Sequence, residues 1–265
     1  MNVKAISKKP VNPIANKSIK NFKLTLEYDG TDFNGWQIQS QGERTVQGEI
    51  QKALLQIFKQ EVNVISSGRT DAGVHALGQV INFKIRSRMI PREVQKAMTS
   101  FLPSDIVIKD VQEVGLKFHA QYDAISKTYR YTILNRAYAS AKERNFCQFY
   151  PYKINLVRMR HEAKSFLGKN DFKSFEAADH ERAKHSTVRQ IKKINIRKKD
   201  NWITIDIEAD GFLYKMVRNM VGTLLDAGSG RLPKGGVRTI LSKRDRCLAG
   251  QTAEPQGLCL LEVRY

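Results

Sequence analysis

Asp71 stands at the centre of Ser67-Gly68-Arg69-Thr70-Asp71-Ala72-Gly73-Val74-His75-Ala76-Leu77-Gly78-Gln79, a dense run of turn-forming and polar residues in an otherwise strand-rich region. Gly68 and Gly73 bracket an arginine, a threonine and an aspartate, so the backbone can bend sharply and hold the Asp71 carboxylate two residues from the Arg69 guanidinium. A cation at that range favours the ionised carboxylate, and an ionised carboxylate can act as a nucleophile. The same residues could also form a plain turn between strands, since Asp and Gly are ordinary turn residues. No second acid stands in the loop, which counts against a glycosidase, whose chemistry needs two carboxylates a few ångströms apart.

The elements that must position this loop are legible in the apolar pattern. Residues 22–28, 62–65, 79–85 and 106–111 read as strands, and the Asp71 loop joins the second to the third. Val46, Ile50, Ala53, Leu54, Ile57 and Phe58 recur at helical spacing behind Thr45, a favourable N-cap, and Pro91–Phe101 opens with proline in the first turn. The order βαββαβ predicts a ferredoxin-like split unit. Residues 127–134, 156–167, 188–196, 202–209, 212–225 and 258–264 repeat that order, with an extra short helix over 235–241. The expected fold is α+β, with two ferredoxin-like halves forming one extended mixed or antiparallel sheet around a central cleft. On this division residues 1–20 are a disordered basic tail, 21–115 the half carrying the Asp71 loop, and 116–265 the half completing the cleft.

In the helix expected over 212–225, Phe212, Leu213, Met216, Val217, Met220, Val221, Leu224 and Leu225 make one apolar stripe, with Lys215, Arg218 and Asn219 opposite. Taken alone, this is a core helix with a solvated basic face. The overall charge gives such a face a second meaning. Lys and Arg number 45 against 26 Asp and Glu, a formal charge of +19 in 265 residues with a pI near 9.9. Small-molecule enzymes seldom need such an excess, whereas a polyphosphate partner such as RNA or DNA does. Five of those charges are lysines of the tail, which leaves +14 for the remainder. Residues 180–199 hold eight Lys or Arg against Glu181, and 231–246 hold six against Asp245, so both read as phosphate-tracking surfaces.

At 41% hydrophobic residues the chain can bury a sizeable core, yet no apolar run approaches the ~18 residues of a membrane span. Cys147, Cys247 and Cys259 form no CxxC pair, and His180 and His185 lie in a basic stretch without cysteine nearby. The expectation is therefore no metal, no disulfide framework and a reducing cytoplasmic setting.

Distant segments agree with one family. They are Tyr28-Asp29-Gly30 with Phe33 and Gly35-Trp36-Gln37; Thr45-Val46-Gln47; Gly68 to Ala76; Lys127-Thr128-Tyr129-Arg130-Tyr131; Asp171-Phe172 with Ser174-Phe175; and Met216-Val217-Arg218-Asn219 with Gly222. In these residues the chain resembles the TruA family of tRNA pseudouridine synthases. The loop around Asp71 is the most specific of them.

The resemblance implies isomerisation of uridine to pseudouridine at positions 38 to 40 of the tRNA anticodon stem-loop, by a homodimer, without a cofactor. It implies that Asp71 is the nucleophile, that Arg218 approaches it, and that Tyr129 lies against the flipped base and assists proton transfer at C5, with Tyr131 in reserve. Leu258, in the stretch Leu258 to Leu261, resembles the family's Gly-Leu-x-Leu closing strand, which borders the uracil pocket. Arg69, Phe33, Trp36, Gln37 and His75 are expected to hold substrate. One departure is visible: Gln121, in Phe118-His119-Ala120-Gln121, stands where the family commonly has Arg. The competing reading is a non-catalytic RNA-binding or RNA-folding protein on the same body, since sheets of this kind also serve as RNA platforms.

Overall fold

A computed structural model describes residues 18–39, 42–177 and 186–265. The strands are β1 (Ile19–Tyr28), β2 (Val64–Ser66), β3 (His75–Arg86), β4 (Ile106–Val114), β5 (Ser126–Leu134), β6 (Gln148–Phe149), β7 (Gly168–Asp171), β8 (Val188–Lys199), β9 (Trp202–Ala209) and β10 (Leu258–Arg264). The helices are α1 (Val46–Phe58), α2 (Pro91–Phe101), α3 (Leu156–Ala163), α4 (Met216–Ser229) and α5 (Gly236–Lys243).

All ten strands share one mixed sheet, ordered β4-β1-β3-β10-β5-β9-β8-β7, with β2 on β3 and β6 on β5. β9 shows the period of two plainly, since Ile203, Ile205, Ile207 and Ala209 are fully buried while the residues between them are partly exposed. β3 is longer and almost continuously buried, because it has neighbours along both edges. β1 runs along one edge, while the other is shared between β2, at Ile81–Phe83, and β10, at His75 and Ala76. The β10–β3 pairing is parallel and only two residue pairs long, Cys259 with His75 and Leu260 with Ala76. β10 also pairs antiparallel with β5, so the strand nearest the C-terminus lies mid-sheet and places Tyr129 opposite Leu260.

α1 begins as its sequence suggests, with the Thr45 hydroxyl accepting the Gly48 N–H at 3.2 Å. Three expectations shift. Residues 18–20 are not tail: Ile19 and Lys20 already belong to β1, and Lys20 pairs with Glu113 at 2.9 Å. The rest of the expected tail, 1–17, lies outside the described residues, as do His180, Glu181 and His185. The helix expected over 156–167 stops at Ala163 and tightens into a 3₁₀ turn over Lys164–Phe166.

The third shift concerns α4, which starts at Met216 because Lys215 takes a left-handed conformation, φ 56°. It has little solvated face. Gly222 sits under the backbone of Gln251, where a Cβ would lie 1.7 Å from the carbonyl oxygen. Asn219 is fully buried: it donates to the Phe175 carbonyl at 2.8 Å and accepts from Arg246 at 2.9 Å and Thr252 at 2.7 Å. Packing on both sides thus turns the supposed surface asparagine into a core bracket.

α5 follows Gly235, whose lack of a side chain leaves the helix start uncapped. Glu162 of α3 serves instead, fully buried, its carboxylate accepting Gly235 N–H at 2.7 Å and Val237 N–H at 3.2 Å. Burial pushes this carboxyl up, but the two N–H bonds and His161 outweigh it and hold it below its ordinary 4.5. A depressed carboxyl contributes stability that is present above its unfolded value and lost as pH falls through the folded one. Glu162→Gln should therefore cost about 1.5–3 kcal/mol at pH 7 in denaturant titrations and lessen the acid loss of stability below pH ~4.5.

Candidate active site

The Asp71 loop is held by a second loop packed against it backbone to backbone. Trp36 N–H donates to the Thr70 carbonyl at 3.0 Å, and Gly73 N–H donates to the Phe33 carbonyl at 3.3 Å. Two glycines permit the approach. Gly35, at φ +81°, would place a Cβ 2.8 Å from the Thr70 oxygen, and Gly30 would place one 2.2 Å from that of Val74. Val74 N–H closes a tight turn onto the Asp71 carbonyl at 3.1 Å, with Gly73 at φ +75° in the position that demands positive φ.

Beneath the loop lies a buried polar layer. The Tyr28 and Thr70 hydroxyls meet at 2.8 Å. Gln79, fully buried, accepts from the Ser67 hydroxyl at 2.7 Å and donates to the Gly68 carbonyl at 2.9 Å. Lys127 of β5 donates to the Ser67 carbonyl at 2.5 Å. A buried carbonyl or hydroxyl without such partners would cost about 1–3 kcal/mol, so these bonds specify one loop conformation.

Arg218, in the first turn of α4, reaches Asp71 Oδ2 with Nη1 at 2.7 Å; the two side chains are 12% and 18% exposed. Its Nε donates to the Ala253 carbonyl at 2.8 Å, which fixes the guanidinium. Ala253 sits in the segment that crosses Gly222, so the absence of a side chain there sets the distance. Tyr129, on β5, is 7% exposed and packs edge-to-face with Phe212, ring centroids 5.1 Å apart. Burial, with the nearby Tyr28 and the Asp71 charge, pushes its phenol well above the ordinary range, so it stays protonated at neutral pH and can donate.

Asp71, Arg218 and Tyr129 line one cleft of about 1090 Å³, together with Arg69, Trp36, Gln37, Leu258, Lys127 and Lys215. That volume is at or above the upper end of small-molecule sites, about 300–1,000 Å³. Gln121, exposed, lies on the same wall. The lining mixes apolar residues, Val217, Leu258 and Phe212, with the Asp71 carboxylate, the Arg69 and Arg218 guanidiniums and the Tyr129 and Tyr214 phenols. This set suits a planar base whose atoms undergo nucleophilic attack and proton transfer.

Two expected substrate residues are not brought to this cleft. Phe33 is 3% exposed, and the Arg44 guanidinium stacks on it at 4.1 Å, so the ring is core and only its carbonyl serves the loop. His75 is 5% exposed and has both ring nitrogens engaged. Nδ1 accepts Gly30 N–H at 2.9 Å, and Nε2 lies 2.8 Å from the Asn145 carbonyl. Tyr131 is likewise fully buried, its hydroxyl 2.6 Å from Gln148 Oε1 and 2.7 Å from the Glu254 carbonyl. Conversely, roles for Gln79, Lys127 and the Ala253 carbonyl were not evident in the sequence. Gln79 ends the loop's own motif, which was the available signal; nothing marked a backbone carbonyl 35 residues beyond Arg218.

The Asp171-Phe172 and Ser174-Phe175 segment is structural. Phe172 and Phe175 pack with Phe166, and the Ser174 hydroxyl donates to the Ile240 carbonyl at 2.6 Å. Among the described residues no helix is long and apolar enough to cross a membrane, and no three His, Cys, Asp or Glu converge as metal ligands.

The chain is similar to known proteins over most of its length. A family model described as tRNA pseudouridine synthase matches residues 25–123 and 163–265, which include Asp71, Arg218, Leu258 and most of the loop residues named above. The tRNA pseudouridine synthase A of Thermoanaerobacter sp. (strain X514) is 42% identical over 247 residues, 93% of this chain and 100% of the relative. That of Caldicellulosiruptor bescii is 43% identical over 247 residues with the same coverage. That of Ruminiclostridium cellulolyticum is 43% identical over 249 residues, again 93% of this chain and 100% of the relative. The chain belongs to the TruA family of tRNA pseudouridine synthases, isomerases that convert uridine to pseudouridine in tRNA.

Proposed function

We propose that this enzyme modifies uridines at positions 38 to 40 of the tRNA anticodon stem-loop, with Asp71 as nucleophile, Arg218 as its positioning cation and Tyr129 against the base. The Asp71–Arg218 ion pair inside the cleft, beside a protonated phenol, carries the reading. The target is flipped from its stack into the cleft, a cost of a few kcal/mol that basic contacts to phosphate offset. The Asp71 carboxylate then attacks the uracil ring or ribose C1′, or assists formation of a glycal. In each route the N1–C1′ bond breaks, the base turns, and C5 bonds to C1′ while losing its proton, with N1 gaining one. Atoms and electrons balance within one nucleotide, so the reading calls for no cofactor or metal.

Tyr129 stacks on the base and has its hydroxyl available for the proton movement at C5. Arg69, Trp36, Gln37 and Leu258 border the nucleotide, while Phe33 and His75 act only by supporting the loop. We further propose a pair of ferredoxin-like halves, 19–115 and 116–265, supported by the matching orders β4-β1-β3-β2 and β10-β5-β9-β8. The working enzyme is a cytoplasmic homodimer in this reading.

Incubation with uridine-containing tRNA transcripts, without added metal or cofactor, should yield pseudouridine confined to positions 38 to 40 when mapped by mass spectrometry. Modification elsewhere would overturn the assigned target. The two tyrosines should separate. Tyr129→Phe is expected to lower the single-turnover rate by roughly 10- to 1,000-fold with little change in stability. Tyr131→Phe should instead lose about 1–2 kcal/mol of stability and keep the rate of the folded fraction.

A further inference from the structure

Tyr122 is 77% exposed, although the segment that presents it is tied to the body of the molecule by several hydrogen bonds. Its ring stacks on His119 at 4.2 Å between centroids and 23° between planes. The imidazole is fixed in turn, since His119 Nδ1 accepts the N–H groups of Gln121 at 3.2 Å and Tyr122 at 3.3 Å. Asp123 closes the turn by accepting His119 N–H at 2.9 Å.

The anchor is buried. Asn21 and Asn82, both fully buried, bond to one another at 2.9 Å and hold the carbonyls of Gly115 and Phe118 and the N–H of Ala120. The Tyr265 hydroxyl donates to the Ala120 carbonyl at 2.8 Å. Folding gains nothing from leaving a phenol ring in water, so a rigid, backed and open ring is suited to a ligand with a flat face. The adjacent residue, Gln121, lines the cleft that holds Asp71.

We propose that Tyr122, backed by His119, is a stacking platform for an unpaired nucleobase of the RNA next to the uridine that enters the cleft. The proposal rests on the cleft being the uridine site. Withdrawing one base from a strand bares the faces of its neighbours, and an aromatic ring replaces the lost stack whatever the neighbour's identity. Lys192, whose Nζ donates to the Ile125 carbonyl at 2.9 Å, adds positive charge near the same turn for the backbone that carries such a base.

The test uses the full chain and an anticodon stem-loop RNA with 2-aminopurine placed in turn at each loop nucleotide. Wild type and Tyr122→Phe should quench one or two positions on binding, because a ring is enough. Tyr122→Ala and Tyr122→Leu should lose that quenching and raise KM by roughly 10- to 100-fold, the measured range for one stacked base, with kcat at saturating RNA within about twofold. A merely structural role would instead lower the melting temperature and kcat together. Unchanged quenching and KM in Tyr122→Ala, or equal losses in Tyr122→Phe and Tyr122→Ala, would overturn the platform. So would a change of oligomeric state in Tyr122→Ala, which would assign the ring to a second copy of the chain. Pseudouridine formation by wild type tests the parent reading separately, so the two can fail independently.

Discussion

Asp71→Asn should abolish pseudouridine formation, by on the order of a thousandfold or more under single-turnover conditions, while tRNA affinity stays within about twofold. Asparagine matches aspartate in size and can still accept the Arg218 bond through its amide oxygen, so the loop keeps its shape and only the nucleophilic charge is lost. Affinity is set mainly by phosphate contacts, to which a carboxylate contributes nothing favourable. Asp71→Ala should be equally inactive but less stable, since it leaves the guanidinium, 12% exposed, without its partner. Rapid mixing with excess enzyme, followed by mapping of the product, reads the rate. Turnover within tenfold of wild type in Asp71→Asn would remove the carboxylate from its central role.

Arg218→Lys should lose most of the rate as well, roughly 100- to 1,000-fold in kcat, despite keeping the positive charge. Arginine spans two fixed points, Asp71 Oδ2 at 2.7 Å and the Ala253 carbonyl at 2.8 Å. A single ammonium on a flexible stem lacks the planar fork that meets both, so it neither orients the carboxylate nor ties it to the 249–253 segment. Combining Arg218→Lys with Asp71→Asn should cost no more than Asp71→Asn alone, because the guanidinium acts through the carboxylate. Strictly additive losses in that double-mutant cycle would give Arg218 an independent task.

Much of the candidate site is legible in the sequence, for a physical reason. A loop that must bend, stay polar and hold a charge draws on few residue types, so 68–76 stands out by chemical density. Helix α1 was readable because Thr45 and the spacing of Val46, Ile50, Ala53 and Leu54 point the same way. The misreadings arose where a residue's type does not reveal its neighbour. Periodicity sets Asn219 on a helix face but cannot show that Phe175, Arg246 and Thr252 converge on it from elsewhere. Phe212 and Leu213 extend the apolar stripe of α4, yet they line the cleft ahead of the helix, since the chain turns at Lys215. Phe33 and His75 belong to the right motifs for a different reason from the one inferred, namely the fixing of backbone around Asp71. β6 and β7, of two and four residues, are too short for any pattern to declare.

The two-pair seam between β10 and β3 bears on what an unfinished molecule can do. Asp71 and Arg218 stand 147 residues apart, on opposite sides of that seam, and even the Asp71 loop draws on the far side through the Lys127–Ser67 bond. A chain folded only as far as residue 115 displays the carboxylate without its guanidinium, and without the tyrosine wall that follows on β5. Under the roles proposed for Asp71, Arg218 and Tyr129, the reacting set is assembled only when β10 lies between β3 and β5, so the last strand of the chain completes the site built around a loop near its beginning.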